Sequence, residues 1–239
     1  MAEKKNPKAS IVIPALNEEK VLRECIESLN AQDCPFEFEV IIADGGSKDA
    51  TRRIARSMGT RVVMEHTRTI AAGRQKGAMA AKGELIAFSD ADAVLPPNWL
   101  RELLAPFKDG RVTGTLGSFA LFDGSHLEDF LCATLVPFYL WFSNLIGCPS
   151  GAGSCMACRA NAFKESGGFN VKLVTAEDVD LQKKMQKLGR VVFTPKAKAR
   201  VSARRIRKWG YWKFFSFHAR NWFEAHFLGR AESHYERVR

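Results

Sequence analysis

Short apolar runs alternate with longer stretches of helical spacing through the first part of the chain. Ser10-Ile11-Val12-Ile13-Pro14 is β-rich. It leads into Glu18 to Leu29, where Val21, Leu22, Cys25, Ile26 and Leu29 recur at the spacing of one helix face. Val40-Ile41-Ile42-Ala43, introduced by Glu39, is apolar without a break, the pattern of a strand buried on both faces. It stops at Asp44-Gly45-Gly46-Ser47, a loop and cap signal, and Asp49 to Met58 predicts a second helix. Arg61 to Met64 predicts a third strand. Ile70 to Lys82 predicts an alanine-rich helix closed by Gly83, and Glu84 to Phe88 a fourth strand.

This alternation predicts an α/β fold with a mostly parallel sheet and helices on both faces. Such sheets bind ligands at the carboxyl ends of their strands. The polar clusters at Asn17-Glu18, at Asp44 and at Asp90 and Asp92 each follow a strand, so they are expected on one edge. The second half is less regular. Val112 to Phe122 suggests a longer strand, Phe130 to Gly147 is the most apolar stretch, and Gly151 to Phe169 is rich in glycine and small residues. Glu177 to Leu188 predicts a helix and Arg190 to Phe193 a strand. From Ser202 the chain is basic and aromatic. We expect two parts, residues 8–201 as the folded domain and 202–239 as a helical tail.

Composition changes this picture in two ways. The 239 residues carry a formal charge of +10, which suits nucleic acid, an anionic membrane surface or phosphorylated substrates without choosing among them. The six cysteines are scattered, and Met1-Ala2-Glu3-Lys4-Lys5 runs toward a strand with no apolar leader segment. Free thiols in a reducing cytoplasm are expected. Cys155-Met156-Ala157-Cys158 has metal-ligand spacing, but no second pair accompanies it, so zinc is not expected.

Candidate chemistry begins with Asp90-Ala91-Asp92. Two carboxylates just past a buried strand repel each other unless a cation lies between them. Mg²⁺ or Mn²⁺ takes a few carboxylates and completes its shell with phosphate oxygens and water. A solvated turn explains the same triplet equally simply. The surrounding motifs decide more. Val12-Ile13-Pro14-Ala15-Leu16-Asn17-Glu18, Ala43-Asp44-Gly45-Gly46-Ser47-Lys48-Asp49, Ala72-Gly73-Arg74-Gln75-Lys76-Gly77 and Gly83 to Asp92 occur in this order. Gly167-Gly168-Phe169 and Glu177-Asp178-Val179-Asp180-Leu181 follow them. Together they resemble the family 2 glycosyltransferases, which have the GT-A fold, over roughly residues 8 to 200.

The resemblance implies roles. Pro14, Ala15 and Glu18 would line the nucleoside pocket, with Asp44 on base or ribose and Gly45 in the turn beside it. Arg74 would reach a donor phosphate. Asp90, Ala91 and Asp92 would hold the diphosphate, with Asp90 and Asp92 on a divalent metal, Mg or Mn. Asp178, paired with Glu177 at a helix start, would take the proton of an attacking hydroxyl in an inverting transfer. Gly151, Ala152 and Gly153 resemble an acceptor-side loop. Arg204 and Arg205 resemble a serine-arginine-arginine element of membrane-associated members that binds phosphate. Plain structural roles stand beside each of these: a helix cap for Asp44, a solvated helix face for Arg74, a helix-dipole acid for Asp178, a flexible loop at Gly151 to Gly153. A sugar-phosphate nucleotidyltransferase would need a glycine- and lysine-rich loop where this chain has Ala15-Leu16-Asn17-Glu18.

The expected partners are a nucleoside-diphosphate sugar, either a UDP- or a GDP-sugar, and a lipid-linked acceptor, a polyprenyl phosphate or glycolipid. A small-molecule or saccharide acceptor is the alternative. Phe130 to Gly147 is too broken by Pro137, Ser143 and Asn144 to be expected to span a bilayer. Trp212, Phe215, Trp222 and Phe223 fall on one face of a basic helix. Peripheral attachment to the cytoplasmic membrane face is therefore expected, against a core-packing or dimer helix. Nucleic acid is not expected, because no recognition-module signature accompanies the basic residues.

Overall fold

In the computed structural model, which describes residues 6–228, β1 (Ala9–Ala15) lies near the middle of the sheet and serves two cores. Strand side chains alternate between faces. Ile11 and Ile13 therefore join one core with α1 (Leu22–Asn30), α2 (Thr51–Ser57) and α4 (Trp99–Leu104). Val12 joins the other with α3 (Ile70–Ala80), α6 (Ala160–Glu165) and α7 (Glu177–Leu188). Gly77 lets α3 lie close on the sheet, because a Cβ there would overlap Val12.

The sheet has seven strands in the order β3-β2-β1-β4-β6-β5-β7. The other strands are β2 (Phe38–Asp44), β3 (Arg61–Met64), β4 (Leu85–Phe88), β5 (Val112–Leu121), β6 (Met156–Arg159) and β7 (Arg190–Val201). Only β6 runs against its neighbours β4 and β5. The first four strands match the expected elements to within a residue or two. β1, β2 and β4 pair in register, Ala15 opposite Asp44 and Val12 opposite Phe88, which brings their carboxyl ends to one edge.

Two features depart from expectation. β6 lies inside the stretch read only as glycine-rich. β7 continues to Val201 beyond the expected Phe193, since Ala197 and Ala199 are buried while Lys196 and Arg200 face out. Small alanines hid this alternation. The Cys155 and Cys158 thiols enter opposite cores, as an odd spacing on extended chain requires, so they cannot share a metal. Burial pushes both thiols up, Cys155 to about 12.

α5 (His126–Leu145) begins with a capping box in which Ser125 and Glu128 satisfy each other's backbone N–H groups. Its outward side carries exposed Phe130, Leu135, Phe138, Trp141 and Phe142. Among the described residues, no helix is long and apolar enough to cross a membrane. After β7 the chain forms α8 (Arg204–Trp209), α9 (Tyr211–Phe223) and a π-helical turn at Glu224–Leu228. This segment is helical as expected, and it packs onto the domain. Ile206 joins Leu121 and Ala203 in a small core, and Thr175 Oγ1 donates to Asn221 Oδ1 at 3.1 Å. The rest of the expected tail, 229–239, lies outside the described residues.

Candidate active site

The loops after β1 and β2 are stitched together at the sheet edge. The Asn17 N–H donates to Ser47 Oγ at 2.9 Å, Lys48 N–H to Asn17 Oδ1 at 2.8 Å, and Glu18 N–H to Thr51 Oγ1 at 2.8 Å. Asn17 itself has φ +56°, a left-handed conformation that asparagine tolerates. Pro14 and Ala15 end β1 directly beside Asp44. Gly45 N–H donates to the Ala15 carbonyl, and Gly46, at φ +82°, makes the turn.

Asp44 is 0% exposed. Its Oδ2 accepts from Gly46 and Ser47 N–H, both at 3.0 Å, which is the cap role. Its Oδ1 has no partner among the described residues, and neither has Ser89 Oγ just past β4. Buried polar atoms are rarely left so.

Arg74 departs most from expectation. The helix face it occupies is buried, and the residue is 2% exposed. Its Nη1 donates to Glu177 Oε1 at 2.6 Å and its Nη2 to Asp90 Oδ1 at 2.7 Å. A guanidinium fork suits two carboxylates as well as a phosphate, and here the carboxylates hold it. Burial works against the Arg74 charge, but Asp90 and then Glu177 outweigh it and push its pKa up. Gly153 makes room for this arrangement, because a Cβ there would overlap the guanidinium. Gly151 similarly packs on Leu116. Ala152 lies between them and its carbonyl accepts from Cys155 N–H.

The acids at the start of α7 follow Ala176, whose φ of +56° is uncommon for a residue with a Cβ. Leu181 and Met185 are fully buried on the inward face, and Leu188 at the end of the helix is exposed. Glu177 is committed to Arg74. Asp178 has no ion-pair partner among the described residues and accepts its hydrogen bond from Val179 N–H at 2.8 Å. Burial, then Asp178, pushes Glu177 up to about 7, against the pull of Arg74. Burial also raises Asp178, with Arg74 opposing.

Asp92 meets the C-terminal segment. Arg204 Nη2 lies 2.6 Å from Asp92 Oδ2 and 4.0 Å from Glu18 Oε2. Burial and then Asp90 push Asp92 up, and Arg204 opposes them. Arg205 instead lies over the Trp209 ring, 5.4 Å from its centroid. Asp90 and Asp92 each hold an arginine where a cation is wanted. No group of three His, Cys, Asp or Glu side chains is placed to hold a metal ion by itself among the described residues. Two carboxylates suffice for an ion that draws the rest of its shell from phosphate and water, so the donor set fits Mg²⁺ or Mn²⁺.

The sequence missed the third side of the site. Tyr139 on α5, Trp222 on α9 and His226 on the π-helical turn meet ring to ring, and Thr175, just before α7, donates to Asn221 beside Trp222. Their signal lay in an apolar run and a tail that pattern alone could assign to a surface.

Comparison with known proteins comes to the same place. Residues 10–167 match the sequence model of "Glycosyl transferase family 2". The succinoglycan biosynthesis protein ExoA of Rhizobium meliloti is 27% identical over 87% of this chain and 67% of its own length. An uncharacterized glycosyltransferase of Bacillus subtilis, YfnE, is 40% identical over 36% of the chain. The chain spans only 23% of that relative. Among solved structures, the mannosyltransferase PcManGT from Pyrobaculum calidifontis, in complex with GDP-Man and Mn²⁺, has a TM-score of 0.66 at 20% identity. The match covers 91% of this chain and 65% of that one. Glucosyl-3-phosphoglycerate synthase from Mycobacterium tuberculosis, with Mn²⁺, UDP-glucose and phosphoglyceric acid, has a TM-score of 0.63 at 19% identity. That match covers 95% and 81%. These likenesses establish the GT-A fold.

Proposed function

Because the chain belongs to glycosyl transferase family 2, we propose that it moves a sugar from a nucleoside-diphosphate donor to an acceptor hydroxyl or phosphate, with inversion. One observation carries this: the buried Arg74 links Asp90 of the donor triplet to Glu177 beside Asp178. A donor-holding carboxylate and a candidate base are thus parts of one charge cluster.

Pro14, Ala15, Glu18, Asp44 and Gly45 line the nucleoside side. Asp90 and Asp92 would hold a divalent metal, which neutralises charge growing on the leaving diphosphate. Arg204, which reaches Asp92 here, would serve the same oxygens, together with Arg205. Arg74 fixes the spacing between donor carboxylate and base, an electrostatic preorganisation. Asp178 takes the acceptor proton, and Gly151 to Gly153 border the acceptor.

The acceptor is lipid-linked and met at a membrane surface. Phe138, Trp141 and Phe142 on α5 and Trp212 and Phe215 on α9 are exposed, and the exposed Lys208, Lys213 and Arg220 belong to the same C-terminal segment as α9. Aromatic and basic groups together are what an interfacial helix uses. Residues 8–201 would then be the catalytic domain, and the segment from 202 its membrane-facing extension.

A donor panel assayed by nucleotide release, with and without Mg²⁺ or Mn²⁺, tests the core of this. Release of UDP or GDP that needs metal and is lost in Asp92→Asn supports it. Calorimetry showing unchanged metal-dependent donor affinity in Asp92→Asn would remove that residue's role.

A further inference from the structure

The surroundings of Asp178 bear on which acceptor atom attacks. Asp90 and Glu177 hold one buried guanidinium between them, and Asp178 follows Glu177 at the start of α7. Asp178 has no ion-pair partner among the described residues, and a neutral hydroxyl is the nucleophile that needs a base.

The wall beside α7 has matching chemistry. Tyr139 Oη lies 3.3 Å from Ser150 Oγ. The Tyr139 and Trp222 rings meet edge to face at 6.4 Å, and Trp222 and His226 lie 4.9 Å apart. The Trp222 Nε1–H is buried with no partner among the described residues. Lys183 and the Thr175–Asn221 hydrogen bond hold this turn against α7. Such π-turns often mark functional positions. Flat aromatic faces with a spare N–H, a phenol and an imidazole can cover the C–H face of a sugar ring and bond its hydroxyls.

We propose that Tyr139, Trp222 and His226 form an acceptor subsite for a sugar ring, and that the attacking group is a sugar hydroxyl, not a phosphate. This rests on the glycosyl-transfer reading and narrows it. The hydroxyl oxygen bonds to the anomeric carbon of the donor sugar. The bond from that carbon to the diphosphate breaks, its electron pair leaves on the diphosphate oxygen, and the hydroxyl proton passes to Asp178. A lipid anchor on such a glycan would lie along the aromatic face of α5 and α9.

The test uses the full chain, the donor found to be hydrolysed, and two probe classes, short-chain alkyl glycosides and farnesyl phosphate. Alkyl glycosides are expected to speed nucleotide release and to carry the sugar. Trp222→Leu should raise their KM about tenfold, far more than the donor KM, and Trp222→Tyr should recover most of it. Transfer to farnesyl phosphate in preference to glycosides, or a Trp222→Leu effect falling on kcat alone, overturns the inference. So does donor hydrolysis that neither glycoside binding nor glycoside transfer accompanies. If no nucleotide sugar is hydrolysed at all, the glycosyl-transfer reading itself fails, and this inference with it.

Discussion

The proposed donor edge and the proposed acceptor side of this molecule are built differently. At the donor edge, β1, β2 and β4 end in register and their loops hydrogen-bond to one another, so carboxylates are placed by backbone. On the acceptor side, Tyr139, Trp222 and His226 come from two helices and a π-turn that also expose large aromatics to the outside. Strand ends give positional precision, and helices with two apolar faces give a surface that can meet something large. Arg74 is where the two constructions touch.

Removing that junction is expected to have the largest effect. Arg74→Met leaves the buried Glu177 and the half-buried Asp90 without their cation, which should cost about 3–5 kcal/mol in urea unfolding. Arg74→Lys should recover little, since one ammonium lacks the fork that reaches both acids. A variant as stable as the parent would show that the two sides are independent.

Asp178→Asn is expected to keep donor binding and lower kcat by roughly 10²–10⁴-fold. Near-normal turnover would leave Asp178 a structural acid. The rate should also rise with pH as the Glu177–Asp178 pair loses its proton, with a midpoint above the ordinary carboxylate range. Stability should move the other way. The folded chain holds the Glu177 proton more tightly than the unfolded chain does. The resulting stabilisation is full below pH 4.5 and is lost as pH rises to about 7. A urea midpoint that this pair does not lower over that window would argue against the buried cluster.

Gly153→Ala probes the contact from the other side. Overpacking against the guanidinium should cost about 1–3 kcal/mol and reduce turnover, while Gly110→Ala, which has open space around it, should not. The smallest effect on the fold is expected at the outer aromatics. Replacing Phe138, Trp141 and Trp212 by serine should change stability by less than about 0.5 kcal/mol per site and still sharply reduce flotation with anionic liposomes. Undiminished flotation would leave the aromatic face without a lipid role.

Much of the donor half was legible because its signals are local. The apolar runs at Ser10 to Pro14 and Val40 to Ala43 became strands, and the polar clusters behind them met at one edge as parallel pairing requires. The partners of Arg74 were not legible. Glu177 lies far along the chain, and helix periodicity cannot tell a solvated face from one that another helix covers. β6 was hidden because Met156 to Arg159 is too short for its pattern to stand out beside glycines. The ring cluster was hidden because the contacts among Tyr139, Trp222 and His226 join distant segments.

Gly153 carries a consequence for how such a molecule can diversify. The loop proposed to border the acceptor is the part that would be rewritten to accept a new substrate, yet one of its positions tolerates no side chain without disturbing the Arg74 guanidinium. Changes of substrate preference are therefore channelled away from that point. They fall instead on the helical rings and the outer face, where substitutions leave the Arg74 clamp intact.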